Sequence, residues 1–446
     1  MSQQTNIRLH DIAELFDSQR VPLSSKQRAK RKGAYPYYGA SGIIDHVDGY
    51  LFDGEYVLVA EDGENLRSRK TPIAFKADGK FWVNNHAHIL KGKERWQNDL
   101  IVYLFKNSNI NPYITGAAQP KLNQENLLRI EFEVPEGRAC KQVVEILSSL
   151  DEKIELNRKQ NRTLEAIAQA LFKRWFVEFE FPDENGRPYK SSGGAMQPSD
   201  KSAGEPIWTA ESRPEGVSAM DGANQLGEIP VGWRTGKLEE LIGELETGSR
   251  PKGGVGMFTD GIPSIGAESI TRIGEYDYGK TKYVPEEYFT KMRRGVIKDR
   301  DVLIYKDGGT PGRFDVRISM FGGGFPFEAA CINEHVFRVQ AKKPVYQNYL
   351  YLWFSSYPVL EELRHRGAKA AIPGINSNDV KELDFLFMDE VVLEKFDQVI
   401  EPLFAKLLRN SREMAVLARL RDALLLKLMS GELRVPEARL AVEKAS

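Results

Sequence analysis

The chain has 446 residues, a net charge of −1, and 41% hydrophobic and 28% charged residues, an ordinary globular composition with room for roughly two to four domains. Several classes are excluded: no apolar run approaches the ~18 residues of a membrane span, the polar start MSQQTNIRLHD is unlike a signal peptide, and two cysteines, Cys140 and Cys331, cannot build a disulfide framework or a Cys-rich zinc site. The expectation is a cytoplasmic protein in a reducing compartment, and the neutral total leaves nucleic-acid binding open, because phosphate is met by a local patch.

Residues 1–137 are predicted to form a mixed α/β domain of short strands, with frequent Gly and Pro and alternating or β-branched runs such as FWVNNHAHIL. Its first chemical signal is a basic run, Arg20, Lys26, Arg28, Lys30, Arg31 and Lys32, uninterrupted by any acid and leading into GAYPYYGASG with Tyr35, Tyr37 and Tyr38. Basic side chains interleaved with aromatics and Gly turns suit phosphate contacts with side chains reaching base edges, although a single such run also describes a solvated face. His86 and His88, two apart in a strand, could project together as metal ligands, but with no third ligand in view they read as an ordinary exposed strand. Asn111-Pro112-Tyr113 lacks the second proline of an amino-methyltransferase turn and has no glycine-rich partner loop.

Residues 138–181 are predicted to be helical. Leu147, Leu150, Ile154, Asn157, Asn161, Leu164, Ala168, Leu171 and Trp175 follow alternating steps of three and four, a heptad seam. Residues 182–226, rich in Gly, Ser, Pro and charge, read as a flexible linker; Pro182-Asp183 at its start has no following acidic-x-Lys triplet and so is no nuclease signature. Residues 227–389 form a second predicted α/β domain, with Arg250 and Lys252 in a glycine-rich loop, then Arg293, Arg294, Lys298 and Arg300, and Arg313 after the turn DGGTPGR. A distal helix over 390–434 and a tail over 435–446 complete the chain.

The second domain contains GEYDYGKT, Gly274 to Thr281, which fits the phosphate-loop pattern letter for letter. The context does not fit. Its interior is bulky and acidic, no continuous buried strand precedes it, and Pro285 denies an immediate helix that could hold phosphates. It reads as a strand-turn-strand excursion. No catalytic constellation and no metal site emerge anywhere in the chain.

The chain is written twice. QPKLNQENLLRIEF (Gln119 to Phe132) matches IPGINSNDVKELDF (Ile372 to Phe385) at an offset of 253, which continues through Leu150 and Leu403, Asn157 and Asn410, Leu164 and Leu417, and Leu171 and Leu424. Upstream, YVLVAEDG (Tyr56 to Gly63) echoes DVLIYKDG (Asp301 to Gly308) at 245, and Leu9 to Pro22 echoes Leu238 to Pro251 at 229. The amino-terminal part of each copy has therefore drifted in length while the helical part has not. The distal seam carries Ile400, Leu403, Leu407, Asn410, Met414, Leu417, Arg421, Leu424 and Leu428. Either helix alone could simply pack on its own domain; two seams in one register, each with an Asn at the same layer, favour helices paired with each other through Asn157 and Asn410.

Taken together, GEIPVGW (Gly227 to Trp233), YPYYGASGIID, FDGEYVLVAEDG, the block LSSLDEKIELNRKQNRTLEAIAQALFKRWFVEFEFP, PDENGRPYKSSGG and the terminal LLLKLMSGEL resemble the DNA-specificity (S) subunits of type I restriction-modification systems, across most of the chain. The resemblance implies an α/β (α+β) fold of two mixed target-recognition domains joined by two long antiparallel coiled-coil helices, related by a pseudo-twofold internal repeat. It further implies a non-catalytic subunit that reads a bipartite double-stranded DNA site with a fixed spacer, in defence against foreign DNA. Its partners would be two modification (methyltransferase) subunits and ATP-dependent restriction endonuclease subunits; S-adenosylmethionine, ATP and Mg belong to those partners, and no cofactor is expected in this chain. Helices of roughly 35–40 residues would span ~50–60 Å, at most about 15–18 base pairs. This chain departs from the pattern in its long insertion QPSDKSAGEPIWTAESRPEGVSAMDGANQ and in a first copy that opens directly at IRLHDIAELF. The other function class the residues allow is a coiled-coil scaffold whose variable domains bind protein rather than DNA.

Overall fold

The computed structural model describes residues 3–199, 227–310, 312–368 and 373–445. The chain divides into two compact units, one of residues 1–154 with 416–446, the other of residues 155–415. Two long helices, Arg138–Phe172 and Glu390–Met429, each contribute one end to each unit. Among the described residues no helix is long and apolar enough to cross a membrane.

The sheets of the two units repeat. In the first unit Gln4–Arg8 pairs antiparallel with Glu131–Pro135, and in the second Arg234–Lys237 pairs antiparallel with Asp384–Phe387. A four-stranded antiparallel sheet follows in each: Ala13–Leu15, Ala87–Gly92, Tyr56–Ala60, Ala74–Ala77 in the first and Ile242–Thr247, Val336–Ala341, Val302–Tyr305, Ile318–Met320 in the second, in those spatial orders. In a further sheet of the first unit, Lys32–Gly39 lies between Gly42–Val47, antiparallel, and Lys80–Val83, parallel. Its counterpart sets Ile262–Ile265 between Lys282–Val284, antiparallel, and Cys331–Ile332, parallel. The central strands Tyr56–Ala60 and Val302–Ile304 are continuous apolar runs buried on both faces, as strands covered on each side must be.

The length drift now has a location. In the first unit two residues, Ala40 and Ser41, join the strands of the hairpin; in the second unit residues 266–281 occupy the same place, and GEYDYGKT lies inside them. That stretch pairs Glu275–Tyr276 with Ile270–Arg272, turns through Tyr278–Lys280, and is followed by a five-residue helix only after Pro285. Gly274 has φ +71, and a Cβ there would lie 2.6 Å from Leu407 Cδ2 and from Ser411 Oγ. The glycine that completes the phosphate-loop pattern is required by a close approach to the second long helix.

Within the second unit the helices run antiparallel, since Asn161 meets Asn410 while Trp175 meets Phe396. Leu150, Ile154, Leu407, Leu417 and Leu424 are buried, and Leu164, Leu171 and Leu403 partly so. The polar layer differs from the expected one. Asn410 donates from Nδ2 to Asn161 Oδ1 at 3.0 Å, and Asn161 Nδ2 donates to Leu407 O at 3.1 Å. Asn157 is fully buried, and neither of its amide atoms has a hydrogen-bond partner among the described residues. Repeat mates need not meet in an antiparallel pair: the register brings Asn410 to Asn161, not to Asn157.

The first part of the segment read as a flexible linker is folded. Asp183 Oδ1 accepts from the backbone of Asn185 and Arg187, both at 2.8 Å, which closes a turn at Gly186, φ +76. This returns Tyr189 to stack on Phe181, whose other neighbour is Trp233 of GEIPVGW, nearly parallel at 5.2 Å, and Met196–Pro198 pairs with Glu228–Pro230. The two motifs PDENGRPY and GEIPVGW are thus halves of one aromatic stack. Residues 200–226, the rest of that segment and nearly all of the insertion, lie outside the described residues.

Candidate nucleic-acid interface

In the first unit the basic run is built on a short helix, Ser25–Lys30, opened by Ser24 and Gln27 in a reciprocal capping box, which feeds the strand Lys32–Gly39. The hairpin partner, Gly42–Val47, brings in acids that the local sequence does not contain. Asp45 accepts from Arg28 Nε at 3.1 Å and Lys32 Nζ at 2.6 Å, and Asp48 accepts from Arg31 Nε at 2.9 Å. The hydrogen bond from Lys32 leads the causes that hold the Asp45 carboxyl down at about 2. Arg31 also lies over the Trp82 ring at 4.9 Å and Arg28 over Tyr37 at 5.0 Å.

These side chains therefore sort by surroundings. Lys26 and Lys30 are exposed, and no ion pair of theirs is found among the described residues. Lys32 is exposed and Arg31 half-buried beside their carboxylates. Tyr35 is half-buried against Tyr50 and Tyr38 against Phe75 and Phe81. Tyr37 is fully buried, its hydroxyl accepting from Leu23 N at 2.8 Å, so its ring belongs to the core.

Arg20 lies apart from the others, in a polar cluster under the sheet. Its guanidinium donates to Glu61 Oε2 at 2.6 Å and to Ala87 O at 2.9 Å and approaches Asp17 Oδ2 at 3.2 Å. His88, 1% exposed and not on an open strand face, directs Nδ1 to Asp17 Oδ2 at 2.5 Å and Nε2 to Leu122 O at 2.7 Å. Asp17, Glu61 and His88 are the one set of ligand-type side chains that converges among the described residues. Arg20 already holds both carboxylates and both imidazole nitrogens are engaged, so the cluster is satisfied by its own cations. Burial alone would raise the Asp17 carboxyl, but the hydrogen bond and charge of His88 bring it below its ordinary value; Glu61 is lowered likewise against burial, chiefly by Arg20.

In the second unit Arg250, Lys252, Arg293, Arg294 and Arg313 are all exposed. Arg250 Nε meets Glu334 Oε1 at 2.8 Å, whereas no ion pair of the other four is found among the described residues. Arg313 stands at a tight hairpin of Gly309–Thr310 with Arg313–Phe314. Arg294 lines a cleft of about 410 Å³ with Thr247, Lys306, Phe337 and Asn376 among its walls. Lys298 pairs with Glu244 at 2.8 Å and Arg300 with Glu401. Cys140 and Cys331 are buried, which pushes each thiol up to about 11 and leaves neither poised as a nucleophile.

The fold also makes one polar pair twice that the sequence did not foretell. His86 Nδ1 lies 2.7 Å from Asp62 Oδ2, and His335 Nδ1 lies 2.6 Å from Asp307 Oδ1, at the same place in the two units. The signal was present in VAEDG with NNH and in IYKDG with NEH, but its two halves are far apart in the chain.

The family profile described as the type I restriction modification DNA specificity domain matches residues 1–166. The chain is 24% identical over 382 residues to the type I restriction enzyme MjaIX specificity subunit of Methanocaldococcus jannaschii, covering 84% of this chain and 78% of that one. It is 37% identical over 142 residues to a putative type I restriction enzyme specificity subunit of Haemophilus influenzae, covering 32% of this chain and 36% of the relative. The S subunit of a type I restriction-modification system from M. genitalium shares the fold at a TM-score of 0.53, with 13% identity and 96% of each chain covered.

Proposed function

Because this chain belongs to the type I restriction-modification DNA specificity family, we propose that its two sheet units are target-recognition domains, each reading one half of a split site in double-stranded DNA. The chain is the non-catalytic, DNA-binding member of its complex; methyl transfer and ATP-dependent cleavage belong to its partner subunits. The finer reading is that the two half-sites differ in sequence, that a fixed spacer separates them, and that two modification subunits dock on repeated surfaces.

The observation that carries this reading is the double occurrence of the main strand pairings, the two-stranded, the four-stranded and the mixed sheet, with divergent loops. A duplicated chain offers two similar faces to two copies of one partner, while different loop chemistry lets the two readers prefer different bases. In the first domain the exposed cations Lys26 and Lys30, with Lys32, Arg31 and Tyr35 beside them, are the contacts we assign to DNA. In the second domain they are Lys252, Arg293, Arg294 and Arg313, with Arg250 at their edge.

The test is binding of the assembled methyltransferase complex to duplex DNA across a salt series. Lys26→Glu with Lys30→Glu should weaken binding and flatten the salt dependence by roughly 0.9 in slope for each phosphate no longer neutralised. Affinity and slope equal to wild type would remove that surface from the interface. Partner assembly without any salt-sensitive DNA binding would instead support a scaffold.

A further inference from the structure

The two domains have diverged at two polar positions next to the four-stranded sheets. His88, which faces Val59 across the sheet, is replaced by Phe337 facing Ile304, and Glu61, whose N–H donates to His86 O, is replaced by Lys306, whose N–H donates to His335 O. One polar pair is kept through these changes. In each domain the first strand of the pair of turns ends in Asp-Gly, at Asp62 and Asp307, and the other turn is Asn-x-His, at Asn84 to His86 and Asn333 to His335. Each Asn side chain accepts from its histidine's N–H, at 2.8 and 2.9 Å, and each histidine directs Nδ1 to its aspartate. The offsets within the repeat differ, 245 for the aspartates and 249 for the histidines, so two separately drifting segments have kept one geometry.

Stability alone does not account for the pair. The imidazoles are 47% and 45% exposed, and an exposed pair of this kind contributes little to folding. The chemistry points outward. A carboxylate on Nδ1 requires that nitrogen to carry a proton, which leaves Nε2 as the ring's functional atom; in the imidazolium form Nε2–H is a donor suited to an anionic oxygen. Among the described residues no acid lies on Nε2 of His86. On His335, Glu334 Oε1 lies 3.5 Å from Nε2 and is shared with Arg250 Nε at 2.8 Å, and Lys306 sits on Asp307 at 3.1 Å; a phosphate oxygen would take the place of that shared carboxylate.

We propose that His86 and His335 are equivalent phosphate contacts, each Nε2–H donating to a phosphate oxygen beside its own half-site, with Asp62 and Asp307 orienting the rings. Domains that read different bases have two ligands in common, the sugar-phosphate backbone and the modification subunit; a pair common to both is therefore no base reader, and a cationic N–H donor turned outward suits a phosphate oxygen. This inference rests on the DNA-reading function proposed above.

The experiment uses the full chain in complex with its modification subunits, and two duplexes, one carrying the mapped motif and one with both half-sites scrambled, across a salt series. His86→Gln and His335→Gln should each weaken binding to both duplexes by the same factor, about tenfold, with the salt slope falling by roughly 0.9 per site and the base preference unchanged. His86→Arg and His335→Arg restore a long cationic donor and should bind both duplexes with near wild-type affinity and slope. A changed base preference at one half-site would make the histidine a base reader and overturn the proposal. Unchanged binding in the Gln variants, or Arg variants that bind as weakly as the Gln variants, would overturn it in favour of a staple between two turns. Should the Gln variants fail to assemble, the Arg variants decide alone. A wild-type complex with no preference for the motif over the scrambled duplex would instead sink the underlying DNA-reading function, whatever the variants do.

Discussion

At the scale of single residues, the basic side chains of one run have opposite tasks. Arg20 is held between Asp17 and Glu61, whose side chains are 1% and 12% exposed. Removing it leaves two buried carboxylates sharing His88 and Lys121, and breaking a buried pair in this way costs about 3–5 kcal/mol. Arg20→Ala is therefore expected to lower the unfolding free energy by about 3 kcal/mol in denaturant titration, whereas Lys30→Glu leaves stability nearly unchanged and weakens DNA binding. Equal stability of the two variants would contradict the placement of Arg20. The same cluster sets an acid limit. The Asp17 and Glu61 carboxyls are held below their ordinary values of 3.8 and 4.5 in the fold, so their contribution is complete above those values and is lost as pH falls through the lowered ones. Stability measured from about pH 5 downward should thus fall more steeply in wild type than in an Asp17→Asn variant.

The local sequence made the run look uniformly exposed and unopposed. What it could not display was the hairpin partner, because Asp45 and Asp48 come alongside only when Gly42–Val47 folds back on Lys32–Gly39. Arg20 was misleading for the same reason, since its carboxylates arrive from a preceding turn and from a strand end forty-one residues later. The Asp-His pairs were visible as letters but only the fold joins them.

At the scale of elements, the long helices were the most legible feature, because little besides a pair of packed helices produces a seam of alternating threes and fours repeated at a constant offset. The pairing of individual layers was not legible. Equivalence under the repeat links Asn157 to Asn410, while antiparallel packing links Asn161 to Asn410. The difference is measurable. Asn157→Leu removes a buried amide with no partner among the described residues and should be neutral or stabilising, whereas Asn161→Leu removes the bond to the Leu407 carbonyl and leaves Asn410 only Gln160 at 3.3 Å, and should cost about 1–3 kcal/mol. Thermal unfolding of the two variants in the assembled complex distinguishes them; a larger loss for Asn157→Leu would mean that this amide carries a bond the helix register depends on. The phosphate-loop likeness of GEYDYGKT dissolves at this same scale. Gly274 is there because Leu407 and Ser411 leave no room for a Cβ, and the remaining residues form a hairpin insertion whose Tyr276 packs against Phe325 at 5.1 Å.

At the scale of the whole molecule, the duplication is the fact from which the functional account grows. The drift of offset from 229 to 253 along each copy was legible as unequal loop lengths, and the structure places the largest difference in one hairpin of the second domain. The helices contribute 35 and 40 residues, about 52 and 60 Å at 1.5 Å per residue. If they act as the ruler between two readers, a heptad inserted after Glu155 with a matching heptad after Ala415 should lengthen the spacer by about three base pairs, since ~10.5 Å of rise corresponds to about that much B-DNA.

The most direct measurement is to map methylated positions across a host genome carrying the cognate modification subunit, with and without this chain. The account predicts that one split motif, two short specific halves with an invariant gap, is methylated only when the chain is present. Methylation of a single uninterrupted motif, or a pattern that does not depend on the chain although the complex assembles, would contradict it.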